Sequence, residues 1–267
     1  MKNIAKKILV VLMAVLLIGA MAACAPAADS NAKTVSLGTS ADYPPFEFIY
    51  LDDQGAQQYA GIDVSLAKKL AADMDAELNV VNMNFDSLMA SLEKGDVDFV
   101  IAAVEVTEER LQSADFSEPY YTDLPAMILV KADKAAEYTS LESFAGKSVG
   151  AQSGTTKADI VNNDMPGAKF VGLTSVIDLV NELMYDKCDA IVLDGAVAMD
   201  YAASNSELVV ADVALGEALP FCVAVQKGDP KGLLESINKS IAEALEKGLV
   251  DQWVAEADEL SSKALEG

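Results

Sequence analysis

The chain has 267 residues, with 19 Lys and Arg against 42 Asp and Glu and a net charge of −23. A chain this acidic would be repelled by phosphate backbones, which excludes nucleic-acid binding. Histidine is absent, and with it go Ser-His-Asp and Cys-His catalysis and the common zinc sites; no cofactor is expected.

The first segment carries Lys2, Lys6 and Lys7, then the uncharged run Ile8 to Ala23, ending in Met21-Ala22-Ala23 ahead of Cys24. This predicts a secretory signal over residues 1–23, since 16 residues fall short of the roughly 20 needed to span a membrane. An uncleaved anchor helix is the alternative. Small residues before Cys24 make it the expected lipidation site, at the start of a flexible tether, residues 24–33. Removal of residues 1–23 takes three lysines and no acid, moving the net charge from −23 to −26. The folded part is expected outside the cytoplasm, lipid-anchored to the outer face of the cytoplasmic membrane or periplasmic. The remaining chain is long enough for two modest domains. Cys188 and Cys222 lack metal-ligand spacing, and each is expected to be a separate buried or half-buried residue, a disulfide between them being the alternative.

Strands alternate with helices along the rest of the chain, which argues an α/β architecture with mostly parallel sheets. The pattern predicts a strand over Thr34 to Gly38, an amphipathic helix over Ile62 to Met74, a strand over Glu77 to Met83, a helix over Phe85 to Leu92 and a strand over Val97 to Val104. The continuous apolar run Phe99 to Val104 is of the kind buried on both faces. A second set follows: a strand over Pro125 to Val130, a short helix over Leu141 to Phe144, strands over Ser148 to Gln152, Ala190 to Leu193 and Leu208 to Val210, and helices over Lys157 to Asn162 and Val176 to Tyr185. Leu219 to Val225 reads as a strand leading back. Helices over Pro230 to Lys247 and Leu249 to Ala257 close the chain.

Polar groups cluster just past the apolar strands, where open α/β sheets place their ligands. Glu105, Thr107 and Arg110 follow the run ending at Val104, and the Arg110 guanidinium offers paired N–H donors suited to a carboxylate. Pro44 and Pro45 stiffen the loop that carries Tyr43. Gln152-Ser153-Gly154-Thr155-Thr156-Lys157 is a glycine turn into a helix, able to present backbone N–H groups to an anion at Thr155 and Thr156 or to serve only as a helix cap. Lys157 is expected to be solvated. Asp194 ends the apolar strand 190–193, and a carboxylate there needs a cation unless it caps the following helix.

The segment Asp98 to Tyr121, with Thr107-Glu108-Glu109-Arg110 and Asp115-Phe116-Ser117-Glu118-Pro119-Tyr120-Tyr121, resembles the polar amino acid type (family 3) of solute-binding lipoprotein that feeds ABC importers. That resemblance implies a type II periplasmic-binding-protein-like fold with two lobes, residues 34–124 plus 220–267 and residues 125–219, joined by two hinge strands near Tyr121 to Ile128 and Leu219 to Val225. It implies a monomer that captures a free amino acid between the lobes and delivers it to a membrane permease. Arg110 would hold the ligand carboxylate. Asp194 would hold the α-ammonium with the carbonyl of Ala103 and the side chain at 105, and Tyr43 and Phe85 would face the ligand from opposite walls. The alternative for both rings is core packing, which Phe46 and Phe48 are expected to do. The chain departs from the family at Glu105, usually serine or threonine, and at Ser40, commonly aspartate. Glu105 beside Asp194 puts two carboxylates around one cation, which calls either for a ligand with more than one cationic centre or for a Glu105 turned to Arg110. The same fold also hosts enzymes that dehydrate cyclic amino-acid precursors, for which Glu105 is the one candidate general acid, and ligand-sensing modules.

Overall fold

The structure, a computed structural model, describes residues 33–261; the expected signal segment, Cys24 and all but Lys33 of the expected tether lie outside the described residues. The chain opens with β1 (Lys33–Thr39), followed by a small antiparallel sheet of β2 (Asp42–Tyr43), β3 (Glu47–Leu51) and β4 (Gln57–Ala60). The expected strand-helix alternation gave no sign of this sheet. Helix α1 (Ile62–Asp73) follows and buries Ile62, Leu66 and Leu70 at the spacing of one helix face. Its start lies so close to β3 that a Cβ on Gly61, whose φ is +114°, would stand 2.0 Å from the Phe46 carbonyl oxygen, so only glycine fits.

Next come β5 (Ala76–Asn82), α2 (Phe85–Lys94), β6 (Phe99–Val100), the single-turn helix α3 (Arg110–Ser113), β7 (Ala114–Phe116) and β8 (Tyr121–Thr122). The expected strand over Val97 to Val104 is regular only over Phe99–Val100. Beyond it the backbone turns at Ala103, with φ +46°, because the Ala103 N–H donates to the buried Asp63 carboxylate at 2.7 Å instead of to a strand.

The chain continues through β9 (Met127–Lys131), two short 3-10 turns over 132–137 and 141–144, β10 (Ser148–Gln152), α4 (Thr156–Asp164), β11 (Lys169–Leu173), α5 (Val176–Met184), β12 (Ala190–Leu193), α6 (Gly195–Ser204) and β13 (Leu208–Val210). It returns through β14 (Pro220–Phe221) and β15 (Ala224–Gln226), then ends in α7 (Leu234–Glu246) and α8 (Leu249–Ser261). The expected strand Leu219 to Val225 is thus two short ones, interrupted where the Cys222 N–H donates to the Val104 carbonyl.

Two five-stranded sheets organise the fold, in the orders β5-β1-β6-β15-β7 and β11-β10-β12-β9-β13. Each is mixed rather than mostly parallel. In the first, β6 runs parallel to β1 while β15 is antiparallel to β6 and β7. In the second, β10 is parallel to β11 and β12 while β9 is antiparallel to β12 and β13. Each lobe therefore seats an antiparallel strand, β15 or β9, that enters directly from a crossing segment. The two crossings pair with each other, Thr122 opposite Pro220 and Tyr121 opposite Phe221.

The apolar runs are continuous because both sheet faces are covered. Val100, Ala102 and Val104 pack with Leu88 and Leu92 of α2, while Phe99, Ile101 and Ala103 join the cluster around α1. In the second sheet, Ile128, Val130, Ala190 and Val192 face Phe144 and Val161, and Leu129, Ile191 and Leu193 face Leu179 and Val197.

Candidate functional site

Loops at the ends of β1, β6, β10 and β12 converge on one cleft. It is lined by Tyr43, Glu47, Phe85, Ala103, Glu105 and Arg110 from the first lobe and by Thr155, Lys157 and Asp194 from the second. The Arg110 turn forms because the Thr107 hydroxyl caps its backbone N–H at 3.1 Å. The Arg110 guanidinium lies 5.4 Å from the centre of the Phe85 ring, donates to the Glu105 carbonyl at 2.7 Å and reaches across to the Gly154 carbonyl at 3.0 Å. Among the described residues its hydrogen-bond partners are these neutral carbonyls, with no carboxylate oxygen among them. The Glu105 side chain does not turn to it.

Instead Glu105 points at α4. Its Oε2 accepts a hydrogen bond from the Thr156 hydroxyl and stands 3.2 Å from Lys157 Nζ. Lys157 Nζ lies 2.5 Å from Asp194 Oδ1, and Asp194 Oδ2 accepts the Tyr43 hydroxyl proton at 2.7 Å. The expectation of a solvated Lys157 is overturned: the residue is 5% exposed, held by two carboxylates that repay its lost hydration. Burial works against its charge, but Asp194 and Glu105 more than offset this and raise its pKa. One ammonium shared by two acids leaves Asp194 with its carboxyl above the ordinary range, through burial first and the repulsion of Glu105 after the help of Lys157.

Thr155 and Thr156 play different parts. The Thr155 side chain caps α4, accepting from the Ala158 N–H at 3.3 Å and donating to the Gln152 carbonyl at 2.7 Å, so its hydroxyl is committed to the turn. Asp194 sits at the N-cap position of α6, yet its side chain makes no capping bond. That task falls to Asp123, just after β8, whose Oδ2 accepts the Ala196 N–H at 3.1 Å. Burial first pushes the Asp123 carboxyl up to about 6. The approach is close enough that a Cβ on Gly195 would meet the Leu124 Cβ at 2.5 Å and the Pro125 carbonyl oxygen at 2.6 Å.

Tyr43 lines the cleft and also reaches across it to Asp194, while Phe85 is half-buried at the wall. Phe46 and Phe48 are fully buried in the core. Ser40 is at the cleft but turns to Asp42 at 3.2 Å, and Asp42 in turn accepts the Val176 N–H of α5 at 3.0 Å. Cys188 and Cys222 are buried and unpaired with one another, and burial pushes both thiols up to about 11.

Sequence reasoning missed Glu47. It is 1% exposed, lines the cleft, and its Oε2 has no hydrogen-bond partner among the described residues. It hydrogen-bonds Asp63, which is itself fully buried and bonded to the Tyr120 hydroxyl at 2.7 Å and the Ala103 N–H. Burial first, then Asp63, Asp42 and Asp194, push the Glu47 carboxyl well above the ordinary carboxylate range, and burial raises Asp63 to about 6. The available signal was the acid inside Pro44-Pro45-Phe46-Glu47-Phe48, a charge between two core aromatics.

The model of the bacterial extracellular solute-binding proteins, family 3, matches residues 35–256. The chain belongs to this family. It is 33% identical over 255 residues to the arginine-binding extracellular protein ArtP of Bacillus subtilis, covering 92% of this chain and 96% of that one. It is 31% identical over 231 residues to the ABC transporter arginine-binding protein 1 of Escherichia coli, covering 84% and 92%. Among solved structures it is similar to the amino acid ABC transporter substrate-binding protein AbpA of Streptococcus pneumoniae bound to L-arginine, with a TM-score of 0.82, 30% identity, and coverage of 87% of this chain and 97% of that one. The two-lobed, type II arrangement is therefore the family's fold.

Proposed function

We propose that this protein captures a cationic amino acid of the arginine class in the interlobe cleft and hands it to a membrane permease of the ABC type. The carrying observation is the difference between two groups along one cleft: Arg110, whose guanidinium has carbonyl partners among the described residues, and Glu47, a buried acid whose Oε2 has no partner among them and which burial keeps protonated until a cation is brought to it. A ligand with a carboxylate at one end and a cation at the other completes both, and its hydrocarbon stem suits the walls of Tyr43 and Phe85. The α-ammonium falls to Asp194 and Glu105, with the Ala103 carbonyl nearby. Backbone N–H groups at the α4 start, near Thr155 and Thr156, add to Arg110 at the carboxylate. The arginine-binding relatives agree with this chemistry.

Capture rather than catalysis is the reading because Glu105, the one candidate acid, is bound by Lys157 and Thr156 instead of standing free to deliver a proton. The lobes are taken as residues 34–124 plus 220–267 and residues 125–219, hinged at the β8 and β14 pair, and the protein as an exported monomer anchored through lipidated Cys24. Ligand binding would favour the closed lobe arrangement, and the permease would read that closure. Calorimetry with the twenty amino acids tests the function. Binding of L-arginine that is lost in Arg110→Ala is expected, and no heat from any cationic amino acid would overturn it.

A further inference from the structure

Lys157 stands where the function just proposed needs the ligand's α-ammonium. Its Nζ is within 2.5 Å of Asp194 Oδ1 and 3.2 Å of Glu105 Oε2, and the second oxygen of Asp194 is taken by Tyr43. The open space at the centre of this cleft is about 10 Å³, room for about one water. A second ammonium at the same two carboxylates would lie against Lys157 Nζ, like charge against like charge in a buried place.

We infer that Lys157 is a tethered competitor for the α-ammonium and determines how strongly the site demands one. The lysine has somewhere to go. A separate pocket of about 520 Å³ adjoins the cleft; it shares Glu105, Lys157 and Asp194 with it and is lined by Leu124, Ile160, Leu215 and Leu219, with Thr156, Asp164 and Glu217 also on its wall. Swinging into that cavity, the four-carbon stem of Lys157 meets apolar wall while its ammonium meets Asp164 or Glu217. A ligand bearing an α-ammonium must drive this exchange, replacing one cation by another at Asp194 and Glu105. The net gain from its ammonium is therefore small. A ligand without an α-ammonium leaves Lys157 seated and loses little. The inference rests on the cleft assignment above, with Arg110 at the carboxylate and Asp194 and Glu105 as the ammonium place.

The test is calorimetry of native protein and Lys157→Met with L-arginine and with 5-guanidinopentanoate, which is arginine with hydrogen in place of the α-amine. In the native protein the two ligands are expected within about fivefold of each other. In Lys157→Met the ratio shifts toward arginine by about tenfold or more, the worth of a hydrogen bond between charged groups. Because Lys157→Met leaves Asp194 and Glu105 facing each other, Glu105→Gln with Lys157→Met is measured beside it; this pair keeps the net charge and is expected to shift the ratio the same way. A native ratio strongly favouring arginine that stays unchanged in both variants would overturn the inference while leaving the cleft assignment standing. Binding of neither ligand to native protein would overturn the cleft assignment itself, and the inference with it.

Discussion

Two groups of buried acids face the same cleft, and they differ in what neutralises them. Asp194 and Glu105 share Lys157, with the Tyr43 and Thr156 hydroxyls completing their hydrogen bonds. Among the described residues, Glu47 and Asp63 have no cation partner: Asp63 draws on Tyr120 and the Ala103 N–H, and Glu47 keeps one bare oxygen. A buried acid without a cation holds its proton, which is why burial lifts Asp63 to about 6 and Glu47 well above the ordinary range. The contrast locates demand for positive charge. The first group supplies its own cation; the second is the place where a ligand's guanidinium gains most.

Several substitutions break or sharpen that contrast. The largest effect is expected at Arg110, which is held by the carbonyls of Glu105 and Gly154. Arg110→Ala should weaken arginine binding by at least about thirtyfold, since removing one partner of a buried charged pair costs about 2–5 kcal/mol. Titration calorimetry alongside a melting curve separates this from misfolding, and undiminished affinity would mean that the carboxylate lies elsewhere. Glu47→Gln should cost arginine about ten- to a hundredfold while changing neutral amino acids by less than about threefold; equal losses for both would show that Glu47 only packs.

Smaller effects fall on stability beside Asp194. Gly195→Ala forces a methyl against Leu124 and the Pro125 carbonyl oxygen, an overpacking expected to destabilise by about 1–3 kcal/mol and to lower the melting temperature by several degrees. Asp123→Asn keeps an acceptor for the Ala196 N–H but removes the titration. The Asp123 carboxyl is raised from 3.8 to about 6 in the folded protein, so between these values the folded state binds more protons than the unfolded one and loses stability as pH rises. The native-minus-variant difference in melting temperature should therefore shrink from pH 4 to pH 7, by the equivalent of about 1 kcal/mol once solvent screening is allowed for. A difference that grows with pH would reverse the assignment.

The sequence made one end of the cleft legible and hid the other. Asp194 directly follows the apolar strand β12, and Tyr43 and Arg110 lie in the short segments after β1 and after the apolar run ending at Val104, where position along the chain predicts position at the sheet edge. Glu47 was hidden because it opens β3 of the small sheet, ahead of the short apolar run Phe48 to Leu51 rather than beyond the end of one. Lys157 was hidden for a different reason. On a helix's first turn a lysine is usually solvated, and only the pairing of α4 with Glu105 and Asp194, 52 and 37 residues away in sequence, shows that it is enclosed. The fold fared better, since apolar runs buried on both faces mark strands strongly, but local bends did not show. The end of β6 at Val100 depends on Asp63 of α1 accepting the Ala103 N–H, a contact no local pattern contains.

The central claim is that the far end of the cleft is built for a cation. Its most direct test is titration calorimetry of the native protein with L-arginine and with L-citrulline, which keeps the length and the α-amino acid end but replaces the guanidinium with a neutral urea. Arginine should bind at least about tenfold tighter, the worth of one charge-assisted hydrogen bond. Equal affinity, or a preference for citrulline, would contradict the account.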